Sequence, residues 1–466
     1  MPPEPVDLLI EARWVLPMAP VNTVLTGHAV AISSGKIVGL GPLTEMNERF
    51  EARDRVVRRD HALLPGFVNA HTRAAMTLLR GLPVRGSRSR WEREIVRPVE
   101  QRCMSADFVR EGTQLAVAEM LRAGITSFAD MYWFPEEAAR VASAARMRAA
   151  IGLPVADAPN VWADSATAHF ERAEQLWDEY RSDPWVCLYF APQDAAFISD
   201  ETLIRVRRVA DELDARIAMR SPPLHRLHAL GLLRQGFAAI AHTALAKGEA
   251  PLVSSTGISL IACLQGDLRL GATSWRSILG AESAAADDSG IFSDAVGSAA
   301  VRDSAADSYH ASGLPAGAAM GIGGVAFRIT PTLLSSVVGL GSGEPASVGA
   351  VDILAEARMA GLLGFSASEA LRLATLGGAT ALGFSNDIGS IEAGKYADLI
   401  CIDLRRPACQ PTASVPDSIL FGATREQVSD VWTSGRQAVS EGHLLGFDED
   451  ELTATAQKWL KIGGAT

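Results

Sequence analysis

The stretch LLPGFVNAHTRAAMTLLRGL, residues 63 to 82, ends an apolar run on three polar side chains, Asn69, His71 and Arg73. Residues two apart on a strand face the same way, so His71 and Arg73 should point together into one space. Two histidines at that spacing would be half of a metal site. An arginine cannot take the second place, because its guanidinium stays protonated and has no lone pair to give. The pair therefore offers an imidazole that moves protons near neutral pH and a fork that suits carboxylate or phosphate.

The elements that would position these groups are legible in the pattern. Strands are expected near 63–71, 125–131, 149–156, 185–192, 215–220, 237–242, 257–263 and 335–341. Helical stretches such as FVREGTQLAVAEMLRAG and ETLIRVRRVADELD lie between them, with clear 3.6-residue periodicity. Eight such units predict an α/β fold, a (β/α)8 TIM-type barrel over residues 62–385 with its site at the C-terminal strand ends. Both chain ends alternate apolar and polar residues with turns such as SSGK and TSGR. Residues 1–61 and 386–466 are thus expected to build one small β-sandwich domain with a C-terminal helix. Residues 272–326, rich in Ala, Ser, Asp and Gly, break the rhythm between strands seven and eight and read as an insert, a flexible segment or a lid.

The 466 residues suffice for a large barrel plus a second module. A net charge of −11 argues against nucleic acid or anionic membrane as the main partner. The five cysteines are scattered and odd in number, which fits buried free thiols in a reducing cytoplasm. The start lacks the pattern of a signal peptide, and no apolar run approaches the ~20 residues of a membrane span.

Several blocks carry a resemblance: LLPGFVNAHTRAAMTLLRGL, AGITSFADMYWFPE, ALRLATLGGATALGFSNDIGSIEAGKYADLICIDL and VWTSGRQAVSEG. They are similar to the amidohydrolase superfamily, in its branch of triazine hydrolases and methylthioadenosine/S-adenosylhomocysteine deaminases. The resemblance implies a barrel plus a small sandwich, a homodimer, and an ancestry of hydrolysing C–N or C–Cl bonds on nitrogen heterocycles. It also implies one Zn²⁺ or Fe²⁺, held by an HxH pair on strand one, histidines after strands five and six, and an aspartate after strand eight. A glutamate three residues after the strand-five histidine handles protons in that pattern.

The chain departs from the pattern at most of those positions. His71 is kept, but Arg73, Arg220 and Gly343 stand at ligand positions, and Pro223 replaces the glutamate. On strand six, Ala241 occupies the ligand position unless a one-residue shift restores His242. Gln193 replaces a strand-four histidine and Ala262 the strand-seven one. Two surviving ligands fall short of the three a mononuclear zinc site needs. The expectation from sequence is therefore no metal and no cofactor.

In its place, Arg73, Arg220, Asp194, His71 and His242 are expected to form an acid–base pocket. Asn69, Asp130, Gln193, Gln265 and Asp267 are expected to line it. Asp130 reads better as a backbone hydrogen-bond partner at its strand end. The arginine run from Arg80 to Arg97 would draw in an anion or form a solvated face paired with glutamates. The expected ligand is a small, nitrogen-containing molecule, neutral or anionic. Two other readings stay open. One is a non-catalytic subunit or binder, pairing with an active relative. The other is a metallohydrolase whose site joins His71 and His242 to a residue of the insert, such as Asp287, Asp288 or His310.

Overall fold

The computed structural model describes residues 2–193, 197–242, 249–271 and 338–463. Asp194 and the stretch 272–326, with Asp287, Asp288 and His310, lie outside the described residues.

Two eight-stranded sheets organise the chain. The first gathers both chain ends: β1 (Glu4–Val15), β2 (Leu25–Ser33), β3 (Lys36–Pro42) and β4 (Phe50–Pro65) from one side, and β13 (Leu399–Asp403), β14 (Val428–Thr433), β15 (Arg436–Ser440) and β16 (His443–Leu444) from the other. β4 is the seam, parallel to β1 and antiparallel to β13, with His61 opposite Asp403 and Leu64 opposite Ile400. Leu8, Ile10, Val30, Ile32, Leu63, Leu399, Cys401 and Trp432 share its main core.

The second sheet is the barrel. Its strands are β5 (Phe67–Thr72), β6 (Ile125–Asp130), β7 (Arg148–Val155), β8 (Val186–Pro192), β9 (Arg216–Arg220), β10 (Phe237–Ala241), β11 (Ser259–Ala262) and β12 (Val338–Leu340), neighbours in chain order. β5, β6 and β7 are buried along their whole length, as befits parallel strands covered by helices on one side and core on the other. The stretch read from sequence as one strand at 63–71 is two. Backbone partners switch there: Gly66 N–H donates to Asp398 O at 2.8 Å, and Phe67 N–H to Gly124 O at 2.9 Å. Leu63 and Leu64 thus belong to the end sheet, and the barrel begins one residue after Gly66.

Helices pack outside the barrel for ordinary reasons. Ser105 caps Ala106–Arg122 by accepting from Phe108 N, and Phe108, Val109, Gly112, Ala116, Val117, Met120 and Leu121 form its buried stripe. The C-terminal helix Glu449–Gly463 leaves the end sheet and docks on this same helix. Trp459 meets Phe108 edge-on at 5.2 Å and donates its indole N–H to Glu111 at 2.6 Å. Among the described residues no helix is long and apolar enough to cross a membrane.

The ring closes between β5 and β12, where the first two site residues sit. Gly343 N–H donates to His71 O at 3.0 Å, and Arg73 N–H to Gly343 O at 3.2 Å. A side chain at Gly341 would put its Cβ 2.7 Å from His71 O and 2.8 Å from His71 N. Backbone cannot yield as a side chain can, so Gly341→Ala should push the two strands apart. Overpacking of this kind costs about 1–3 kcal/mol. Urea unfolding should show that loss, and the variant should also lose whatever His71 does.

Candidate metal centre

The C-terminal end of the barrel collects His71 from β5, His242 just after β10, and Glu344 just after the β12 closure. All three are buried. One ligand atom from each lies within 4.8 Å of the others, and the two imidazole centroids are 6.0 Å apart. The one-residue displacement considered for strand six is the arrangement found: Ala241 ends β10 and His242 faces the site.

Glu344 escaped the sequence reading. Gly343 sits at the position where the resemblance demands aspartate, and its φ of +66° together with its bridge to Thr72 commits it to closing the ring. The next residue turns inward, with the extra methylene of glutamate restoring the reach. The signal was present, one position downstream.

Among the described residues His71 has no hydrogen-bond partner on either ring nitrogen, although it is only 1 % exposed. Burial, with His242 and Arg220 nearby, holds its pKa well below the usual histidine value. It is therefore neutral, with a lone pair to offer. His242 is likewise shifted down by burial and by Arg88. Its Nδ1 donates to Asp267 Oδ1 at 2.8 Å, which leaves the Nε2 lone pair facing inward. Arg220 Nε approaches that nitrogen at a long 3.4 Å.

The carboxylates are tied to guanidiniums. Arg220 Nη2 donates to Glu344 Oε1 at 2.8 Å and to Glu92 Oε1 at 2.5 Å. Arg88 donates to Glu344 Oε2, and to Asp267 Oδ1 at 2.6 Å. Burial alone would raise the pKa of Glu344, but Arg88 and Arg220 hold it well below the usual carboxylate range. Each of its oxygens accepts one guanidinium and keeps a second lone pair. Two neutral imidazoles and one ionised carboxylate make a donor set of the kind that holds a catalytic divalent cation with an open position.

The remaining sequence candidates fall in several places. Arg73 stacks over Tyr132 at 4.6 Å and pairs with Glu100 at 3.6 Å. Arg73 and Arg220 are thus each matched to carboxylates. Asp267 lies in the site, on His242. Asn69 is turned sideways, exchanging hydrogen bonds of 2.9 Å with Ser342. Asp130 accepts from Ala74 N–H at 2.6 Å, the backbone role that was its alternative. Gln193 donates to Ala191 O at 3.0 Å, and Gln265 to Glu356 at 3.1 Å. In the arginine run, Arg90 and Arg93 pair with Glu94 on the surface, while Arg88 turns into the site.

Glu356, beneath Gln265, is fully buried, and burial pushes its pKa up to about 8. The folded state then keeps a proton that the unfolded chain releases near pH 4.5, so stability falls as pH rises from there to about 8. Glu356→Gln keeps an oxygen for Gln265. It should leave stability at pH 4 nearly unchanged and raise it at pH 8, as chemical denaturation at the two pH values would show.

Comparison with known proteins completes the picture. The model of the amidohydrolase family matches residues 62–245 and 315–438. A 5-methylthioadenosine/S-adenosylhomocysteine deaminase of Teredinibacter turnerae is 29% identical over 485 residues, spanning 99% of this chain and 98% of its own. The crystal structure of an adenosine deaminase from Xanthomonas campestris with bound zinc is similar over 100% of both chains, with 33% identity and a TM-score of 0.86. An atrazine chlorohydrolase of Arthrobacter aurescens, complexed with zinc, shares the fold at 18% identity and a TM-score of 0.78, over 97% of this chain and 100% of its own. Zinc in these structures, with the His71, His242 and Glu344 donors here, overturns the expectation of a barrel without metal. That expectation counted ligands by position and missed the one supplied by the neighbouring residue. With a match to its model over more than half its length, this chain is a member of the amidohydrolase family.

Proposed function

We propose that this chain is a metal-dependent hydrolase that removes an exocyclic amino group from a purine-like nitrogen heterocycle. Water replaces the amine, giving the oxo heterocycle and ammonia. The carrying observation is the convergence of His71, His242 and Glu344 at the barrel mouth, each held in a state able to donate a lone pair. The deaminases to which the chain is similar along almost its whole length support the same reaction class.

His71, His242 and Glu344 would hold a divalent cation such as zinc. When bound, such an ion brings the pKa of water towards neutrality and supplies a nucleophile at physiological pH. The chain's own residues do the rest. Asp267 fixes the tautomer of His242. Arg220, and Arg88 while no cation is bound, keep Glu344 ionised. Pro223 cannot move protons, so another acid must. Glu92 is the candidate: it comes from the first βα loop, and its Oε1 shares Arg220 Nη2 with Glu344 Oε1. Burial opposes its ionisation, but Arg220 holds its pKa below the ordinary value, so it stands as a carboxylate, whose basicity rises when that ion pair opens.

Protein prepared without chelator should carry about one equivalent of zinc or iron by elemental analysis. His71→Ala and Glu344→Ala should lose it. Ammonia release should be followed with adenosine, 5-methylthioadenosine, S-adenosylhomocysteine and aminotriazines. Glu92→Gln should keep the metal and lose activity by about 10²–10⁴-fold, the usual weight of general acid–base catalysis. Asp267→Asn should weaken metal binding by about 10–100-fold. A wild-type chain that holds no metal and releases no ammonia from any of these compounds would end this reading.

A further inference from the structure

Arg88 is the odd member of the site. Arg73 and Arg220 stand at barrel strand ends, fixed by the sheet. Arg88 lies in the segment after β5, at the first turn of an unbroken helical run, residues 88–103, whose preceding residue Ser87 gives it no side-chain cap. Gly81, Pro83, Arg85, Gly86 and Ser87 before it are exposed. From this uncapped helix start its side chain reaches into a buried place and grips two acids at once. It takes Glu344 Oε2, and Asp267 Oδ1 at 2.6 Å. Neither acid has any exposure to solvent.

Those two acids are the ones a cation at His71 and His242 would need. Glu344 is a donor, and Asp267 sets the tautomer of His242. A guanidinium on Glu344 takes one of its lone pairs and places a positive charge beside the proposed ion. Two like charges a few ångströms apart repel strongly where burial keeps water from screening them. Arg220 repels too, but it is built into β9. Arg88 is the charge that can leave.

We propose that Arg88 is an internal competitor of the metal: its guanidinium and the divalent cation compete for Glu344, with Asp267 shared between Arg88 and the ligand His242, so that metal binding and docking of the first βα loop are negatively linked. This rests on the metal-dependent reading above. Linkage is reciprocal, so what tightens the loop must weaken the metal, and the reverse. The loop also carries Trp91, which is fully buried and donates its indole N–H to Pro83 O at 3.1 Å. Release of Arg88 should therefore disturb a tryptophan three residues away. Glu92 lies next in sequence, so the same movement would free the acid assigned to proton transfer from Arg220.

The test is zinc titration of the chelator-stripped protein against a competing chelator, with tryptophan emission as a second signal. Arg88→Gln should bind zinc at least tenfold more tightly than the wild type. Arg88→Lys, which keeps the charge, should stay closer to the wild type. Arg90→Gln, on the exposed side of the same helix, should change nothing. Should Arg88→Gln fail to fold, hydrogen exchange of the wild-type protein decides: zinc should speed exchange over residues 81–91. Equal or weaker zinc binding by Arg88→Gln, or slower exchange of that loop with zinc, would overturn the competition while leaving the metal centre standing. If neither the wild type nor Arg88→Gln binds zinc, the metal centre falls as well.

Discussion

A carboxylate with no exposure to water sits at the mouth of this barrel, and its neighbours are arranged to keep it charged. Glu344 is sealed by the ring closure at Gly343 on one side and by the first βα loop on the other. An isolated ion in that position would carry a desolvation penalty of several kcal/mol and would take up a proton instead. Arg220 and Arg88 prevent this by donating to its two oxygens from opposite elements. The charge they preserve is what turns two buried imidazoles into part of a three-donor set.

The same constraint explains which parts of the site could be read beforehand. His71 and Arg220 stand at strand ends, where the resemblance aligns without gaps, and both are where the sequence places them. His242 needed a shift of one residue, which the pattern of strand six could not decide because Ala241 and His242 lie at the boundary. Glu344 was missed because a positional comparison asks which residue replaces the aspartate. Space asks a different question, namely which carboxylate can reach. A glutamate one residue later, after a glycine in the left-handed region, reaches the same volume. Arg88 was noticed within an arginine run, yet nothing in its sequence neighbourhood separates it from Arg90. Only the tertiary path of the loop sends one inward and leaves the other beside Glu94.

The scaffold was more legible than the site, for the converse reason. Eight apolar strand stretches separated by amphipathic helices leave few topologies open, and the parallel barrel follows. Local pattern did not show which sheet a strand joins. Residues 63–65 and 67–72 are one apolar run, yet they belong to different sheets, because hydrogen-bond partners change at Gly66 from Asp398 to the barrel. The final helix was equally silent about its docking site. Its Trp459 finds Phe108 and Glu111, on a helix that precedes it by more than three hundred residues.

Exchanging a strand-five histidine for arginine looks at first like the loss of a metal ligand. Arginine gives no lone pair, so one donor is indeed gone. What Arg220 contributes instead is positional. Its guanidinium spans Glu344 and Glu92, fixing a donor and a candidate proton carrier to one strand end. Three protein donors suffice for a catalytic zinc site, so the exchange lowers the number of ligands without abolishing the site. Pro223 stands where the family pattern has its proton-handling carboxylate, and Glu92, on the segment after β5, is the carboxylate that shares Arg220 with Glu344. One guanidinium thus ties the donor Glu344 to the segment that bears Glu92 and Arg88.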